Sequence, residues 1–340
     1  MVEQESKSSI ILGGALIGFL GVLFSQWEAS ENCWTCLQEQ LISLGAKLPT
    51  IGYFSLEIVG IILGAACLAI CRKEFDTSLA SLSWLYFVLG FMVMMGVFIF
   101  LGCPFRMAFR LGTGDLNALS GLVGLICGIL LGLSFLKKGF TIPEKRKTGK
   151  KNKLIYWGVM ISFLLYSWGR PLSFYLKKGH LDFSLSLVLG SLFLGLIIGL
   201  VAQHTRFCLM AGFRNLFLCR DTYLLHGFLA LVFFSTLTNL NAGDYQLNFN
   251  LDVGLIWGFG AMVLIGWASL YLGGCPLRQL VLLGEGKIKA LLVWSGMLVG
   301  AWFGHWGQIS ATTFQGKLIL ILSLLFLLAI SCYYSEKEVT

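Results

Sequence analysis

The sequence predicts an all-α polytopic membrane protein with about ten long transmembrane helices plus short re-entrant segments, arranged as two inverted-topology repeats. Three observations predict it. Of the 340 residues, 57% are hydrophobic and only 12% charged, half the charged share of a soluble domain, and the mean hydropathy is +0.81. Apolar runs close to the length that crosses a bilayer as a helix recur along the whole chain. A Gly-Cys-Pro-x-Arg pentapeptide occurs twice, 172 residues apart, each time between two such runs. With 41 Gly and 5 Pro, the composition fits apolar helices packed through small residues. It excludes a soluble enzyme, a nucleic-acid binder and a disulfide-stapled secreted domain.

In chain order the apolar runs cover 9–27, 52–71, 79–101, 116–136, 154–175, 184–203, 222–240, 252–272, 287–306 and 316–334. The first follows a flank carrying Glu3, Glu5 and Lys7. It is long and has no small-residue cleavage site, so it reads as a helix and not as a signal peptide. Of the net charge of +8, +7 lies between Lys137 and Lys153, where eight basic residues face the single acid Glu144. A basic loop between apolar spans marks the cytoplasmic side; it is not a nucleic-acid footprint. Arg72 and Lys73 after the second run suit the same side. The acidic segment 28–50 and the loop 241–251, which has no basic residue, suit the outside. The helices therefore alternate from a cytoplasmic N-terminus to a cytoplasmic C-terminus, with Arg170, Lys177 and Lys178 falling outside.

The two pentapeptides belong to a longer repeat. Gly102-Cys103-Pro104-Phe105-Arg106 returns as Gly274-Cys275-Pro276-Leu277-Arg278, and the same offset pairs Gly112 with Gly284, Gly114 with Gly286, Gly124 with Gly296 and Gly128 with Gly300. Upstream, Gly14-Ala15-Leu16-Ile17-Gly18 is similar to Gly195-Leu196-Ile197-Ile198-Gly199. The chain divides into a first repeat (1–136), a basic loop and linking helix (137–183), a second repeat (184–315), and a final helix with its tail (316–340). The single helix at 154–175 gives the second half the opposite polarity. Inverted repeats with broken helices are the architecture of transporters, whose substrate site lies at the repeat interface.

At each pentapeptide the proline removes a backbone donor and disfavours helix before it. The later Gly112-Thr113-Gly114 and Gly284-Glu285-Gly286 let the chain turn and restart. Non-helical backbone at membrane depth is tolerated where protein or a water-lined cavity surrounds it. This predicts two re-entrant segments meeting near the centre, with the helices that begin near Leu116 and Lys287 pointing positive ends at an anion. Arg106 and Arg278 are costly in hydrocarbon and face a pathway or a paired acid. Asp115 and Glu285 are the candidate acids, and one guanidinium has donors enough for both an acid and an anion.

Of ten cysteines, Cys67, Cys71, Cys127 and Cys332 sit within or at the ends of apolar runs and read as small packing residues. Cys103 and Cys275 sit on the breaks, beside a proline and three residues from an arginine. A thiol there suits a polarizable sulfur or selenium atom, and the arginine raises its thiolate character. Each half also carries cysteine shortly after its first helix: Cys33 and Cys36 in one, Cys208 in the other. Cys33-x-x-Cys36 has redox spacing but no second pair for zinc. Gln203-His204-Thr205-Arg206-Phe207-Cys208 reads either as a helix end with snorkelling arginines or as an intracellular exit built on Arg206 and Cys208. There is no metal motif among the four histidines and no phosphate-binding loop, so neither a cofactor nor an enzyme activity is expected.

These residues resemble the YeeE/YedE family of inner-membrane proteins, specifically its selenium-transporter branch, over nearly the whole chain. The resemblance rests on Phe100–Arg106 with Gly114-Asp115-Leu116-Asn117-Ala118-Leu119, on Gly273–Leu280 with Gly284-Glu285-Gly286, and on Leu224-Leu225-His226-Gly227 after Arg220-Asp221. It departs after Cys36, where Leu37-Gln38-Glu39-Gln40 replaces an Arg-Asp pair, and at Thr222, which replaces a histidine. The resemblance implies thiosulfate-type uptake through an inverted-repeat helical fold. Central cysteines, here Cys103, Cys275 and Cys36 with Cys33 in reserve, would relay the anion. It also implies a prokaryotic inner (plasma) membrane and makes a soluble cytoplasmic sulfur-carrier protein a partner. The expected function is import of a small sulfur- or selenium-containing anion. The alternative is a membrane thiol enzyme working through the Cys33/Cys36 pair.

Overall fold

The computed structural model of the chain describes residues 2–28, 56–77, 84–140, 156–158, 163, 181–247 and 254–336. Among these residues there is no strand. The helices follow in the order α1 (Val2–Glu28), α2 (Glu57–Cys71), α3 (Trp84–Phe100), α4 (Pro104–Gly112), α5 (Asn117–Lys137), α6 (Leu181–Thr205), α7 (Leu209–Cys219), α8 (Tyr223–Ala242), α9 (Gly254–Leu272), α10 (Pro276–Gly284), α11 (Ile288–Trp306) and α12 (Phe314–Glu336).

Seven stretches among the described residues are long and apolar enough to cross a membrane: Trp84–Gly112, Asn117–Lys137, Leu189–Cys219, Tyr223–Ala242, Gly254–Gly284, Ile288–Trp306 and Phe314–Ser335. The chain is thus an all-helical, multi-pass membrane protein by length and composition. The sequence predicts ten spans. Two of the remaining three are shorter apolar helices, Ser8–Leu23 within α1 and Glu57–Cys71. The third, 154–175, falls outside the described residues except at 156–158 and 163. Three of the seven stretches run to 29, 31 and 31 residues, well past the ~20 that a straight span needs. These are the interrupted helices α3–α4, α6–α7 and α9–α10.

The interrupted helices α3 and α9 form the centre. Every residue from Ala261 to Leu272 is buried, as is every residue from Met92 to Val97. Helices apolar all round are placed where protein surrounds them. Helix α12, by contrast, turns Ile321, Leu322 and Leu325 outward, as expected of a face against lipid.

Between apolar helices in lipid there is no hydrophobic drive to associate, so close backbone approach through small residues holds them. Gly14 and Gly18 in α1 press on the carbonyls of Gly227 and Leu231 in α8, and Gly195 and Gly199 in α6 press on those of Glu57 and Ile61 in α2. Likewise Gly124 and Gly128 in α5 rest on Phe259 and Val263 of α9, while Gly296 and Gly300 in α11 rest on Phe87 and Phe91 of α3. An added Cβ at any of these eight positions would stand 2.1–3.1 Å from the carbonyl oxygen it faces.

Candidate functional site

Three cysteines occupy the same structural position. Each follows a helix that ends on a residue in the left-handed region, and each is the N-cap of the short helix that follows. Helix α3 ends at Leu101 (φ +59°), α9 at Gly273 (φ +79°) and α6 at Arg206 (φ +52°). One residue later an N–H reaches back five residues to close the helix: Gly102 to Val97 (3.0 Å), Gly274 to Ser269 (3.1 Å) and Phe207 to Ala202 (3.0 Å). This is the six-to-one bond of a Schellman ending. Then Cys103, Cys275 and Cys208 adopt extended backbone and cap α4, α10 and α7. Their carbonyls accept the first helical bond, from Met107, Gln279 and Gly212. Pro104 and Pro276 stand at the first position of α4 and α10, where the missing N–H costs nothing.

The three breaks converge. The Cys208 thiol lies 3.7 Å from the Cys275 sulfur, and the Cys275 N–H donates to Cys208 Sγ at 3.4 Å. Phe105, two residues after Cys103, meets Phe207, the residue before Cys208, with ring centroids 5.7 Å apart. All three cysteines are buried, Cys275 completely. Gly274 adjoins the Cys208 sulfur, which a Cβ there would meet at an ordinary contact distance of 3.7 Å. The N-termini of α7 and α10, whose first N–H groups have no intrahelical partner and which carry partial positive charge, therefore start at touching thiols.

The arginines sit one turn into the short helices and fold back towards the breaks. A Cβ on Gly102 would meet the Arg106 stem at 2.8 Å, and one on Gly274 would meet the Arg278 stem at 2.8 Å. The Arg278 guanidinium binds Glu285 at 2.8 Å and the Gln203 side-chain carbonyl at 3.3 Å. Gln203 donates in turn to Glu74 (3.1 Å), and Glu74 accepts from Arg206 (3.3 Å). This five-residue ladder runs from buried Glu285 and Gln203 and the nearly buried Arg278 out to half-buried Glu74 and exposed Arg206. Gln279 meanwhile donates to the Leu272 carbonyl that the α9 break leaves without a helical partner.

The turns after the short helices fix the other residues singled out in the sequence. Gly114 (φ +89°) lies under Tyr245 and Gln246, and Gly286 (φ +87°) under Phe75; both positions require the left-handed backbone that glycine adopts freely. Gly112 and Gly284 abut Ser235 of α8 and Ile62 of α2. Asp115 pairs with Arg110 (2.6 Å) and accepts the Asn117 N–H (2.9 Å), capping α5. The positive end of α5 thus carries its own carboxylate. It also follows the far end of α4, a helix about 13 Å long that starts at Cys103. The helix starts that stand at the thiols are those of α4, α7 and α10. Cys33 and Cys36 lie outside the described residues.

No protein-family model matches the chain, and no curated protein does. What the site is for therefore rests on its own geometry. The sequence leaves Cys208 and Arg206 either at a helix end with snorkelling arginines or at an intracellular exit; the structure brings Cys208 against Cys275. It also brings in Gln203 and Phe207, which the sequence offers only as part of a polar helix end, and Glu74, which nothing in the sequence singles out. The available signal was a cysteine preceded by a helix-ending tripeptide, without the proline that marks the other two breaks. Among the described residues no three His, Cys, Asp or Glu side chains group as metal ligands. A surface cavity of ≈ 580 Å³ between α11 and α12, lined by Phe303, Trp306, Gln308 and Leu318, includes none of these residues.

Proposed function

We propose that the chain imports a small anion carrying a soft sulfur or selenium atom, along a path lined by Cys103, Cys208 and Cys275. The observation that carries this reading is the convergence of interrupted membrane helices on buried thiols at helix N-termini. A desolvated anion is prohibitive in hydrocarbon unless its charge is met. Helix starts and guanidinium groups meet it, while thiols offer weak contacts to a polarizable terminal atom without binding it for good.

An inverted repeat is part of the proposal, and matched contacts support it. The α1–α8 glycine contacts have their counterpart in α6–α2, and those of α5–α9 in α11–α3. The Gln246 N–H bonds the Thr113 carbonyl as the Asp76 N–H bonds the Glu285 carbonyl. Gly114 lies under Tyr245 as Gly286 lies under Phe75. Membership of the YeeE/YedE family, ten spans, cytoplasmic termini in a prokaryotic plasma membrane and a soluble sulfur carrier belong to the same proposal, on the sequence features that suggested them.

The contact between Cys208 and Cys275 also gives a reading as a thiol enzyme a pair of thiols within reach of each other. Uptake into proteoliposomes holding only this protein separates the two, comparing thiosulfate, selenite and sulfate. The transport reading expects saturable entry of a soft anion in preference to sulfate, and its loss in a folded Cys275→Ala variant. Full uptake by that variant removes the thiol path, and no uptake by folded wild-type protein removes the importer.

A further inference from the structure

We infer that Cys208 and Cys275 form a reversible dithiol–disulfide site whose oxidant is a small peroxide. The two sulfurs touch at 3.7 Å although their residues are 67 positions apart. Each stands on a separate helix break, so a bond between them joins α6–α7 to α9–α10. The Cys275 N–H points at Cys208 Sγ, and the α7 and α10 starts add partial positive charge to the same spot. Negative charge on the Cys208 sulfur as its proton leaves, ahead of attack, is thereby offset. Both thiols are buried, which keeps bulky thiols and proteins away from the pair and leaves small solutes as its reactants.

The chemistry balances in two steps. Cys208 sulfur attacks one peroxide oxygen as the O–O bond breaks. The departing hydroxide takes up the thiol proton as water, leaving Cys208 as a sulfenic acid. Cys275 sulfur then attacks the Cys208 sulfur; the S–O bond breaks and a second water leaves with the Cys275 proton. Two thiols lose two protons and two electrons, and hydrogen peroxide becomes two waters. A dithiol reductant returns both protons and both electrons.

The disulfide brings the sulfurs from 3.7 Å to about 2.05 Å. It removes both thiols from any passing ligand and ties the two breaks together. This consequence rests on the transport reading; the disulfide itself does not.

The test uses the full chain in proteoliposomes. After hydrogen peroxide treatment the protein is unfolded in denaturant with N-ethylmaleimide so that every free thiol is blocked, then reduced, and newly released thiols are marked with iodoacetamide and mapped by mass spectrometry. The expected result is that Cys208 and Cys275 gain the second label together, and that Cys208→Ser, checked for folding by size exclusion, abolishes it at Cys275. A second label on neither, on one alone, or on Cys275 with an unchanged yield in Cys208→Ser overturns the site. Uptake measured on the same samples is expected to fall with disulfide formation and return with dithiothreitol. A mapped disulfide in vesicles that show no uptake in either redox state leaves the site standing and removes the transport reading.

Discussion

The Arg278 guanidinium is held at 2.8 Å by the Glu285 carboxylate, with both side chains nearly buried. Breaking such a pair by removing one partner leaves an uncompensated charge, which costs about 3–5 kcal/mol. Arg278→Ala is therefore expected to lower stability by about 3 kcal/mol, and adding Glu285→Gln to it to recover most of that loss. Chemical unfolding of the two variants in detergent checks this. Equal destabilisation by the single and double variants would show that the carboxylate is not what suffers.

Gln203 is the middle rung between Arg278 and Glu74, and it is almost fully buried. Gln203→Ala cuts the ladder without removing a charge. A small membrane-impermeant thiol reagent added on the Arg206 side is expected to label Cys275 faster in this variant than in wild type. Unchanged labelling from that side would mean the ladder does not cover the thiols.

Gly195 sits where a Cβ would come within 2.2 Å of the Glu57 carbonyl oxygen, a backbone atom that cannot step aside. Gly195→Ala is expected to cost about 1–3 kcal/mol through forced separation of α6 and α2. Gly254 has open space around it, so Gly254→Ala is the matching neutral control. Thermal unfolding of the two variants side by side reads the difference.

Gly273 has φ +79° and nothing within 4 Å of a built Cβ. Any penalty of Gly273→Ala is then a backbone penalty, about 1–2 kcal/mol for an L-residue in the left-handed region. Leu101 occupies the corresponding position in the first break with φ +59°. Leu101→Ala keeps that strained backbone and is expected to change the unfolding midpoint less than Gly273→Ala does.

Much of this was legible because it is local. Apolar runs near bilayer length, the prolines at 104 and 276 and the glycines after them mark helices, breaks and turns within a few residues of each other. A helix end before Cys208 is legible, but not its equivalence to the other two breaks, because Arg206 takes the left-handed turn that Gly273 takes elsewhere and no proline follows it. Asp115 stands nine residues from Arg106 and five from Arg110, and the sequence alone offered no reason to prefer Arg110. The turn through Gly114, with φ +89°, brings the carboxylate back onto Arg110.

By itself, then, the sequence determined a membrane-embedded helical chain, the two proline-marked interruptions and the cysteines and arginines they carry. Short-range sterics and hydrophobicity act on neighbouring residues, and they are written in the order of those residues. Only the tertiary structure decided which distant groups meet: Cys208 with Cys275, Phe105 with Phe207, Gln203 between Arg278 and Glu74. Those contacts depend on how closely glycine faces let whole helices approach. That distance is set by both partners of each pair together, and no single segment encodes it.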